Sequence, residues 1–458
     1  MGTFYVENFG CRATQADGAA LERQFRERGL ERAANASGAE IVVLNTCTVT
    51  ASADRDARAA IRRIHRQNPE CRIVVTGCYA QRAPQEIAAL PGVSEVIGNS
   101  HKHDLVKIAI PGAREDNPFP SFPETGFQPP TTNNQGRTTN DQGLPIFVSD
   151  IFAHTQLLAA PVFDAANERT RPILKVQDGC DNRCSFCVIP QVRGSSRSLP
   201  LRQILDEVNT LVGGGYREVV ISGINLGRWG RDFAAPARFE DLIRAILDQT
   251  AVEKLRISSV EPMDWSNEFI GVMADSPRIA KHAHVPMQSG SDRVLRLMHR
   301  KYRPWHYREK IEKIRAAMPT AAIGADVMVG FPGETDGDFA QTLRLVEELP
   351  FTYLHVFTYS ARPGTPAAVM KNQVPTGIAG ERNRLLRELA AEKKQSFLRS
   401  FVGQTLEAIT LNQFDGEHTE CLTDNYLKLR LQGTHESNRW NTVSVLQADA
   451  DALIGVAA

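Results

Sequence analysis

Three cysteines near the middle of the chain have a spacing that could hold a reactive metal cluster. Cys180, Cys184 and Cys187 form a Cys-x-x-x-Cys-x-x-Cys pattern. A structural zinc ion takes four protein ligands, whereas a cubane iron–sulfur cluster held by three cysteines leaves one iron open to a substrate. A zinc site completed by a histidine, or three reduced buried thiols, are the alternatives. The asymmetric spacing and the preceding Gly179 favour the cluster, because zinc cysteines usually come as Cys-x-x-Cys pairs.

Three further cysteines each follow a short β-branched run in the first hundred residues. Runs at 3–6, 41–44 and 73–76 precede Cys11, Cys47 and Cys78, and helical segments at 16–28 and 53–66 separate them. Strands separated by helices pair in parallel, and all their carboxyl ends open on one edge of the sheet. We therefore expect these three cysteines to converge and to hold a second cluster.

Two cysteines remain outside both triads. Cys71 precedes its strand, so it should lie at the opposite edge of the sheet, and Cys421 lies in the last part of the chain. We interpret both as ordinary small thiols.

Composition limits the class of protein. The chain has 458 residues, of which 42% are hydrophobic and 23% charged, which is typical of a globular protein of about three domains. No apolar run is long enough to span a membrane and the first residues do not resemble a signal peptide, so we expect a soluble cytoplasmic protein. Eight cysteines are too few for a disulfide scaffold in a chain of this length. The net charge is zero, so any contact with nucleic acid must come from local basic patches.

Residues 111–150 are rich in Pro, Thr, Asn, Gln and Gly, which predicts a linker or a disordered insertion. We place domain boundaries accordingly, with an N-terminal domain over 1–110, a partly disordered insertion over 111–168, a central domain with a connecting helix over 169–400, and a terminal module over 401–458.

The central domain alternates predicted strands and helices. Its strands are expected at 173–176, 218–222, 255–259, 282–286, 323–329 and 353–358. This pattern predicts a parallel, partly closed (β/α)6 barrel, whose ligands bind at the carboxyl ends of the strands. The terminal module has alternating runs at 405–411, 427–431 and 442–446, which predict a small β-barrel or sandwich. The fold class is therefore α/β, with an open parallel N-terminal domain and an all-β C-terminal module.

Polar and glycine residues follow several of the barrel strands. The candidates for contact with a bound cofactor are Phe186, Gly223, Glu261, Gln288 and Ser289. Glycine there lets an extended cofactor pass close to the backbone, although the same residues could simply turn the chain into the next helix.

The motifs together resemble the radical S-adenosylmethionine (radical-SAM) methylthiotransferases over nearly the whole chain. The resemblance is carried by the Cys180–Cys187 pattern with its aromatic residue before the third cysteine, and by the stretches at 45–50, 76–81, 287–291 and 330–335. Residues 423–428 resemble part of a TRAM domain.

Several expectations follow from that resemblance. Cys180, Cys184 and Cys187 would hold a radical-generating 4Fe–4S cluster that binds S-adenosylmethionine (SAM), and Cys11, Cys47 and Cys78 an auxiliary 4Fe–4S cluster that carries sulfur. The segments around Cys47 and Cys78 are most similar to the branch that methylthiolates carbon 2 of N6-threonylcarbamoyladenosine at position 37 of tRNA. The isopentenyladenosine branch and the branch acting on an aspartate of ribosomal protein S12 are the alternatives. An electron donor such as flavodoxin or ferredoxin is implied, whereas the sulfur donor stays unknown.

The basic residues offer candidate RNA contacts. They are Arg62 and Arg63 on the second predicted helix, and Arg300, Lys301 and Arg303 beside Trp305. Solvated helix faces are the alternative. The terminal module carries eight acids against three Lys and Arg residues, which disfavours phosphate binding there. A two-cluster electron-transfer protein would also use six cysteines, but it would need no barrel with glycine-rich strand ends.

Overall fold

The structure is a computed structural model that describes residues 2–110, 136–141, 143–154, 157–158 and 171–458. Most of the predicted insertion, at 111–135, 142, 155–156 and 159–168, lies outside the described residues. The chain divides into two compact units. The first comprises Met1–Val162, Asp178–Asn182 and Cys187–Arg197, and the second comprises Phe163–Gln177, Arg183–Phe186 and Ser198–Ala458.

The first unit is built on a seven-stranded sheet. Its elements are β1 (Thr3–Asn8), α1 (Arg12–Glu27), β2 (Glu31–Arg32), β3 (Ile41–Thr46), α2 (Ala51–Gln67), β4 (Arg72–Gly77), α3 (Cys78–Arg82), α4 (Pro84–Ala88), β5 (Val93–Gly98), α5 (Leu105–Ala109), β6 (Arg137–Thr139) and β7 (Pro145–Phe147). The strand order is β2-β1-β3-β4-β5-β7-β6, and only β6 runs antiparallel to its neighbour.

Alternate residues of the central strands bury two apolar cores. Val42 and Leu44 of β3 pack in one core with helix α2, whereas Val43 packs in the other with helix α1. Every residue of β3 is buried, as expected of a parallel strand covered on both faces.

The sheet extends beyond residue 110, into the segment whose composition predicts a linker. Strand β7 pairs parallel with β5, and Ile146 on β7 is 1% exposed in the core. These strands are only three residues long, too short to give a periodic signal among prolines and polar residues.

The rest of the chain contains the barrel. Its elements are β8 (Ile173–Asp178), α6 (Ile189–Arg193, in the first unit), β9 (Arg197–Ser198), α7 (Leu201–Gly213), β10 (Glu218–Gly223), α8 (Phe239–Gln249), β11 (Lys254–Ile257), α9 (Asn267–Asp275), β12 (His282–His284), α10 (Asp292–Leu297), α11 (Pro304–Ala317), β13 (Ala322–Val329), α12 (Asp336–Glu348), β14 (Tyr353–Thr358) and α13 (Thr376–Arg399). The strands form two sheets, β11-β10-β8-β9 and β12-β13-β14. All six predicted strands are present, and those pairings with a defined register are parallel, which confirms the predicted alternating α/β class.

The C-terminal module is a closed five-stranded barrel, one of the two architectures that its sequence predicts. Its strands are β15 (Thr405–Phe414), β16 (His418–Thr423), β17 (Lys428–Gln432), β18 (Trp440–Ala448) and β19 (Leu453–Ala457), in the order β15-β16-β17-β19-β18. The sequence shows only three of them, because β16 mixes polar residues and β19 contains a glycine, which is depleted in strands. Among the described residues, none of the helices has both the length and the apolar character needed to cross a membrane.

Candidate active site

Three strands of the first unit end beside the cysteines of the N-terminal triad. Cys11 lies three residues past β1, Cys47 directly follows β3, and Cys78 directly follows β4. Because β1, β3 and β4 are parallel neighbours, their carboxyl ends share one edge of the sheet. Cys11 is exposed, whereas Cys47 and Cys78 are buried. Cys71 comes directly before β4, at the other end of that strand.

The three thiols are close enough to influence one another electrostatically. Burial raises the pKa of Cys47 to about 12, and the charges of Cys78 and Cys11 add to that rise. Within the described parts of the chain, no three His, Cys, Asp or Glu side chains are grouped as the ligands of a metal ion would be. In a cubane, by contrast, each cysteine binds a different iron atom.

Two glycines shape the backbone beside these thiols. Gly10 and Gly77 both have a φ of 99°, a left-handed conformation that favours glycine. A β-carbon at Gly10 would lie 2.8 Å from Sγ of Cys47, and one at Gly77 would lie 3.0 Å from Oδ1 of Asn45. A side chain at either position would therefore intrude on the cysteine edge of the sheet.

The end of a fourth strand, β5, places an asparagine at this edge that the sequence analysis did not predict. Asn99 directly follows β5, is 6% exposed, and donates from Nδ2 to Sγ of Cys78 at 3.6 Å and to the carbonyl of Val192 at 2.7 Å. Its Oδ1 is buried without a hydrogen-bond partner among the described residues. The rule that located the cysteines, a polar residue directly after a sheet strand, would have found it too.

A buried ion network surrounds the cysteine edge. Lys102 donates to Asp17 at 3.0 Å, and Arg193 also reaches Asp17, at 3.1 Å. Burial alone would lower the pKa of Arg193, but the charges of Asp178, Cys78 and Asp17 outweigh it and raise that pKa well above its ordinary value. Arg193 is therefore a permanent buried cation among the thiols, which suits a site that accumulates negative charge.

The same network sets the start of the central cysteine loop. Arg193 donates to both carboxylate oxygens of Asp178, at 3.0 and 2.9 Å, and Asp178 accepts from the backbone N–H of Gly179 at 2.8 Å. The next residue, Cys180, donates its backbone N–H to Gly194 at 3.0 Å. Its sulfur accepts from the backbone N–H of Asn182 at 3.4 Å. Cys187 belongs to the same unit as Cys180, whereas Cys184 belongs to the other.

In the second unit, Cys184 accepts a hydrogen bond from Arg300 at 3.2 Å. Arg300 is only 7% exposed and its guanidinium also pairs with the carboxylate of Glu261. The structure therefore gives Arg300 a buried position beside a thiol, not the surface position expected of an RNA contact. Glu261, expected to contact the cofactor, holds Arg300 in place.

Gln288, at the barrel rim, has a buried polar atom that a ligand could bind. It has a φ of 64°, is 8% exposed, and its Oε1 is buried without a hydrogen-bond partner in the described residues. Gly223, the last residue of β10, packs closely against Gln177, because a β-carbon at Gly223 would lie 3.0 Å from Oε1 of Gln177. The unpaired amide oxygen of Gln288 fits a polar cofactor such as SAM.

The other two rim candidates have partners within the protein. Ser289 is fully buried, contacts the hydroxyl of Thr342 at 3.3 Å and accepts from the backbone N–H of Ser291 at 3.2 Å. Phe186 packs edge-on against Phe331, with ring centroids 6.4 Å apart.

The remaining basic candidates differ in exposure. Arg62 and Lys301 are exposed. Arg63 pairs with Glu7 at 2.7 Å, and Arg303 pairs with Asp292 at 3.1 Å with 23% of its side chain exposed. Of the three basic residues predicted to contact RNA at 300–303, Lys301 is therefore the most accessible.

Two family models match the chain. Residues 3–98 match a family described as uncharacterized protein family UPF0004, and residues 174–346 match the radical SAM superfamily. Membership of the second implies a 4Fe–4S cluster and SAM, which agrees with the expectation drawn from Cys180, Cys184 and Cys187.

Curated relatives match over most of their length. The threonylcarbamoyladenosine tRNA methylthiotransferase MtaB of Bacillus subtilis is 34% identical, over 95% of this chain and 92% of its own. The enzyme of the same name from Aquifex aeolicus is 35% identical, over 94% and 97%. The tRNA-2-methylthio-N(6)-dimethylallyladenosine synthase of Thermobifida fusca is 33% identical, over 89% and 77%.

Solved structures share the fold at low identity. The radical S-adenosylmethionine methyltransferase TsrM of Kitasatospora setae superposes with a TM-score of 0.57 at 15% identity, over 81% of this chain and 77% of that one. On the match to the curated relatives, the chain belongs to the radical-SAM methylthiotransferase family of enzymes.

Proposed function

We propose that this enzyme adds a methylthio group to carbon 2 of N6-threonylcarbamoyladenosine at position 37 of tRNA. The observation that carries the proposal is the presence of two cysteine triads, each beginning at the carboxyl end of a parallel strand. Two of the most similar relatives, at 34% and 35% identity, are named for that nucleoside.

Each cysteine triad would hold one of two iron–sulfur clusters. Cys180, Cys184 and Cys187 would hold the cluster that binds SAM, and the N-terminal triad of Cys11, Cys47 and Cys78 would hold a second 4Fe–4S cluster. When bound, these groups supply a carbon radical able to remove hydrogen from an unactivated ring carbon, and the sulfur that replaces it.

The protein's own residues tune and protect these sites. Arg300 donates to Cys184, and Asn99 donates to Cys78. Hydrogen bonds to cluster sulfurs favour the reduced, more negative state, because they stabilise the extra charge. Arg193 offsets negative charge among the N-terminal thiols from a buried position.

At the barrel rim, Gln288 and Gly223 are the proposed SAM contacts. Gln288 offers an unpaired Oε1 to a donor on the cofactor, and Gly223 would offer its backbone at the end of β10. The ring of Phe186 would pack against the same bound SAM. Glu261 and Ser289 act indirectly, by holding Arg300 and the loop after Gln288.

The proposed partners follow from the substrate. An anticodon-loop nucleotide is already single stranded, so presenting carbon 2 costs less unstacking energy than in a duplex. We further propose a flavodoxin or ferredoxin as reductant, a cytoplasmic location, and the sequence-based domain limits at 168 and 400; the predicted limit at 110 falls too early, because β6 and β7 extend the N-terminal sheet. The C-terminal barrel would be a TRAM-like module.

The neighbouring branch is the second candidate, because relatives named for dimethylallyladenosine are 31% to 33% identical. Reduced enzyme and SAM should be incubated with tRNAs that differ only in carrying threonylcarbamoyladenosine or isopentenyladenosine, and separately with ribosomal protein S12. We expect methylthio product on the first tRNA alone. Product on the isopentenyl tRNA or on S12 alone would assign the chain to another branch, and SAM consumption without any product would leave the proposal unsupported. A Cys47→Ala variant is the negative control.

A further inference from the structure

Two large apolar side chains are exposed on the loops that follow the barrel strands. Trp305 is 56% exposed at the start of α11, and Met263 is 46% exposed in the 3-10 helix Pro262–Asp264 after β11. Single exposed apolar residues are common, so exposure alone assigns no role. Their location does, because ligands of parallel barrels bind at the carboxyl ends of the strands.

The segment that carries Trp305 is anchored to this rim. Tyr302 is 1% exposed, and its hydroxyl contacts the carbonyl oxygens of Pro286 at 3.1 Å and Met287 at 2.6 Å, just past β12. Lys301 and Trp305 therefore project from a backbone that is held firmly, which lowers the entropic cost of ordering them on a ligand.

Three cations surround one carboxylate beside Met263. Arg228 and Arg231 pair with Asp264 at 3.2 and 2.9 Å. Arg300, the neighbour of Lys301, pairs with Glu261, so the loop that carries Lys301 lies beside the one that carries Asp264. Burial raises the pKa of Asp264, and the charges of Arg228, Arg231 and Lys301 oppose that rise. One acid cannot neutralise three cations. The exposed side chains of Lys301 and Arg231, the latter 51% exposed, carry the excess positive charge.

We propose that Trp305, Met263, Lys301, Arg228 and Arg231 form a stacking platform for single-stranded RNA at the rim of the barrel. An exposed indole four residues from Lys301, on the rim that also carries Arg231, matches a nucleotide, whose base stacks on aromatic rings and whose phosphate pairs with Lys or Arg. That the RNA is a tRNA anticodon loop rests on the proposed function. The acidic C-terminal barrel is then not the principal RNA contact, in line with its eight acids.

The C-terminal barrel is attached at the other end of the strands. Lys254, the first residue of β11, pairs with Asp424 at 2.9 Å, and Asn425 donates to the carbonyl of Thr320 at 2.9 Å, just before β13. The C-terminal barrel therefore docks away from the carboxyl-end rim, where the platform lies.

The test measures binding of a fluorescent anticodon stem–loop to the full chain by anisotropy, without SAM. Trp305→Ala should weaken binding about fivefold or more, the effect of losing one base stack. Lys301→Ala and Arg231→Ala should each weaken binding and reduce the slope of log affinity against log salt by about 0.7 to 0.9. Leu446→Ala, also 56% exposed, and Lys428→Ala, 65% exposed on the C-terminal barrel, are the matched controls and should bind like the wild type.

The outcomes separate the two proposals. Wild-type affinity in Trp305→Ala, with normal iron content, would overturn the platform and leave the proposed function standing. Equal weakening by Lys428→Ala and Lys301→Ala would also overturn it, because binding would then be diffuse or centred on the C-terminal barrel. If the wild type bound no tRNA and methylthiolated none, both would fail.

Discussion

Replacing Gly10 by alanine should remove the second cluster while sparing the first. The left-handed φ of 99° would cost an alanine about 1–2 kcal/mol. The new β-carbon would also lie 2.8 Å from Sγ of Cys47, and such overpacking typically costs a further 1–3 kcal/mol. That strain would be relieved by displacing the Cys47 side chain, so cluster assembly there should fail.

Gly416→Ala is the matched control, because Gly416 has a φ of 103° and its β-carbon would meet no other heavy atom of the described residues within 4 Å. The assay is iron and acid-labile sulfide after anaerobic reconstitution. Wild type and Gly416→Ala should hold about eight irons per chain and Gly10→Ala about four, because each cubane holds four. SAM cleavage without RNA should persist in Gly10→Ala. Full iron content in Gly10→Ala would refute the placement of a cluster beside Cys47, and equal loss in Gly416→Ala would attribute the effect to backbone strain alone.

Three further predictions concern other parts of the chain. Alanine at both Cys71 and Cys421 should leave iron content and SAM cleavage near wild type, and loss of a cluster would show that a ligand has been misplaced. Asn99→Leu, made in a variant lacking the central triad, should lower the midpoint potential of the remaining cluster, because the hydrogen bond from Asn99 to the sulfur of Cys78 is lost. An electron paramagnetic resonance titration measures that potential, and an unchanged or higher value would contradict the prediction. Glu218→Gln should lower the free energy of unfolding by about 3–5 kcal/mol at neutral pH, because Glu218 is buried against two arginines, whereas Glu253→Gln in an exposed pair should cost about 0–1 kcal/mol in the same urea titration. Burial alone would raise the pKa of Glu218, but the two arginines outweigh it and lower that pKa in the folded state. The stabilisation by Glu218 is therefore present above its unfolded pKa of about 4.5 and is lost as the pH falls through its folded pKa. A loss of stability in Glu218→Gln that grew in acid would refute this.

The alternation of strands and helices allowed most of the fold to be predicted. A parallel strand buried on both faces, such as β3, reads as a continuous apolar run, and the residue after it must lie at the sheet edge. That reasoning placed Cys47 and Cys78. It could not find β7, which is stabilised by the burial of Ile146 against a core assembled from distant residues.

The sequence did not predict which buried side chains pair with one another. Arg300 stands in a run of basic residues that reads as a solvated surface, yet it is buried because Glu261 and Cys184, distant in sequence, offset its charge. Arg193 is likewise buried only because Asp17 and Asp178 meet it. Such ion pairs are set by tertiary contacts and leave no local pattern.

The most direct test of the central claim is mass spectrometry of tRNA nucleosides from cells that lack this protein. The deleted cells should contain N6-threonylcarbamoyladenosine but no 2-methylthio derivative of it. The wild-type gene should restore the derivative, and a Cys47→Ala gene should not. Unchanged levels of that derivative in the deleted cells, or loss of the methylthio derivative of isopentenyladenosine instead, would contradict the proposed function.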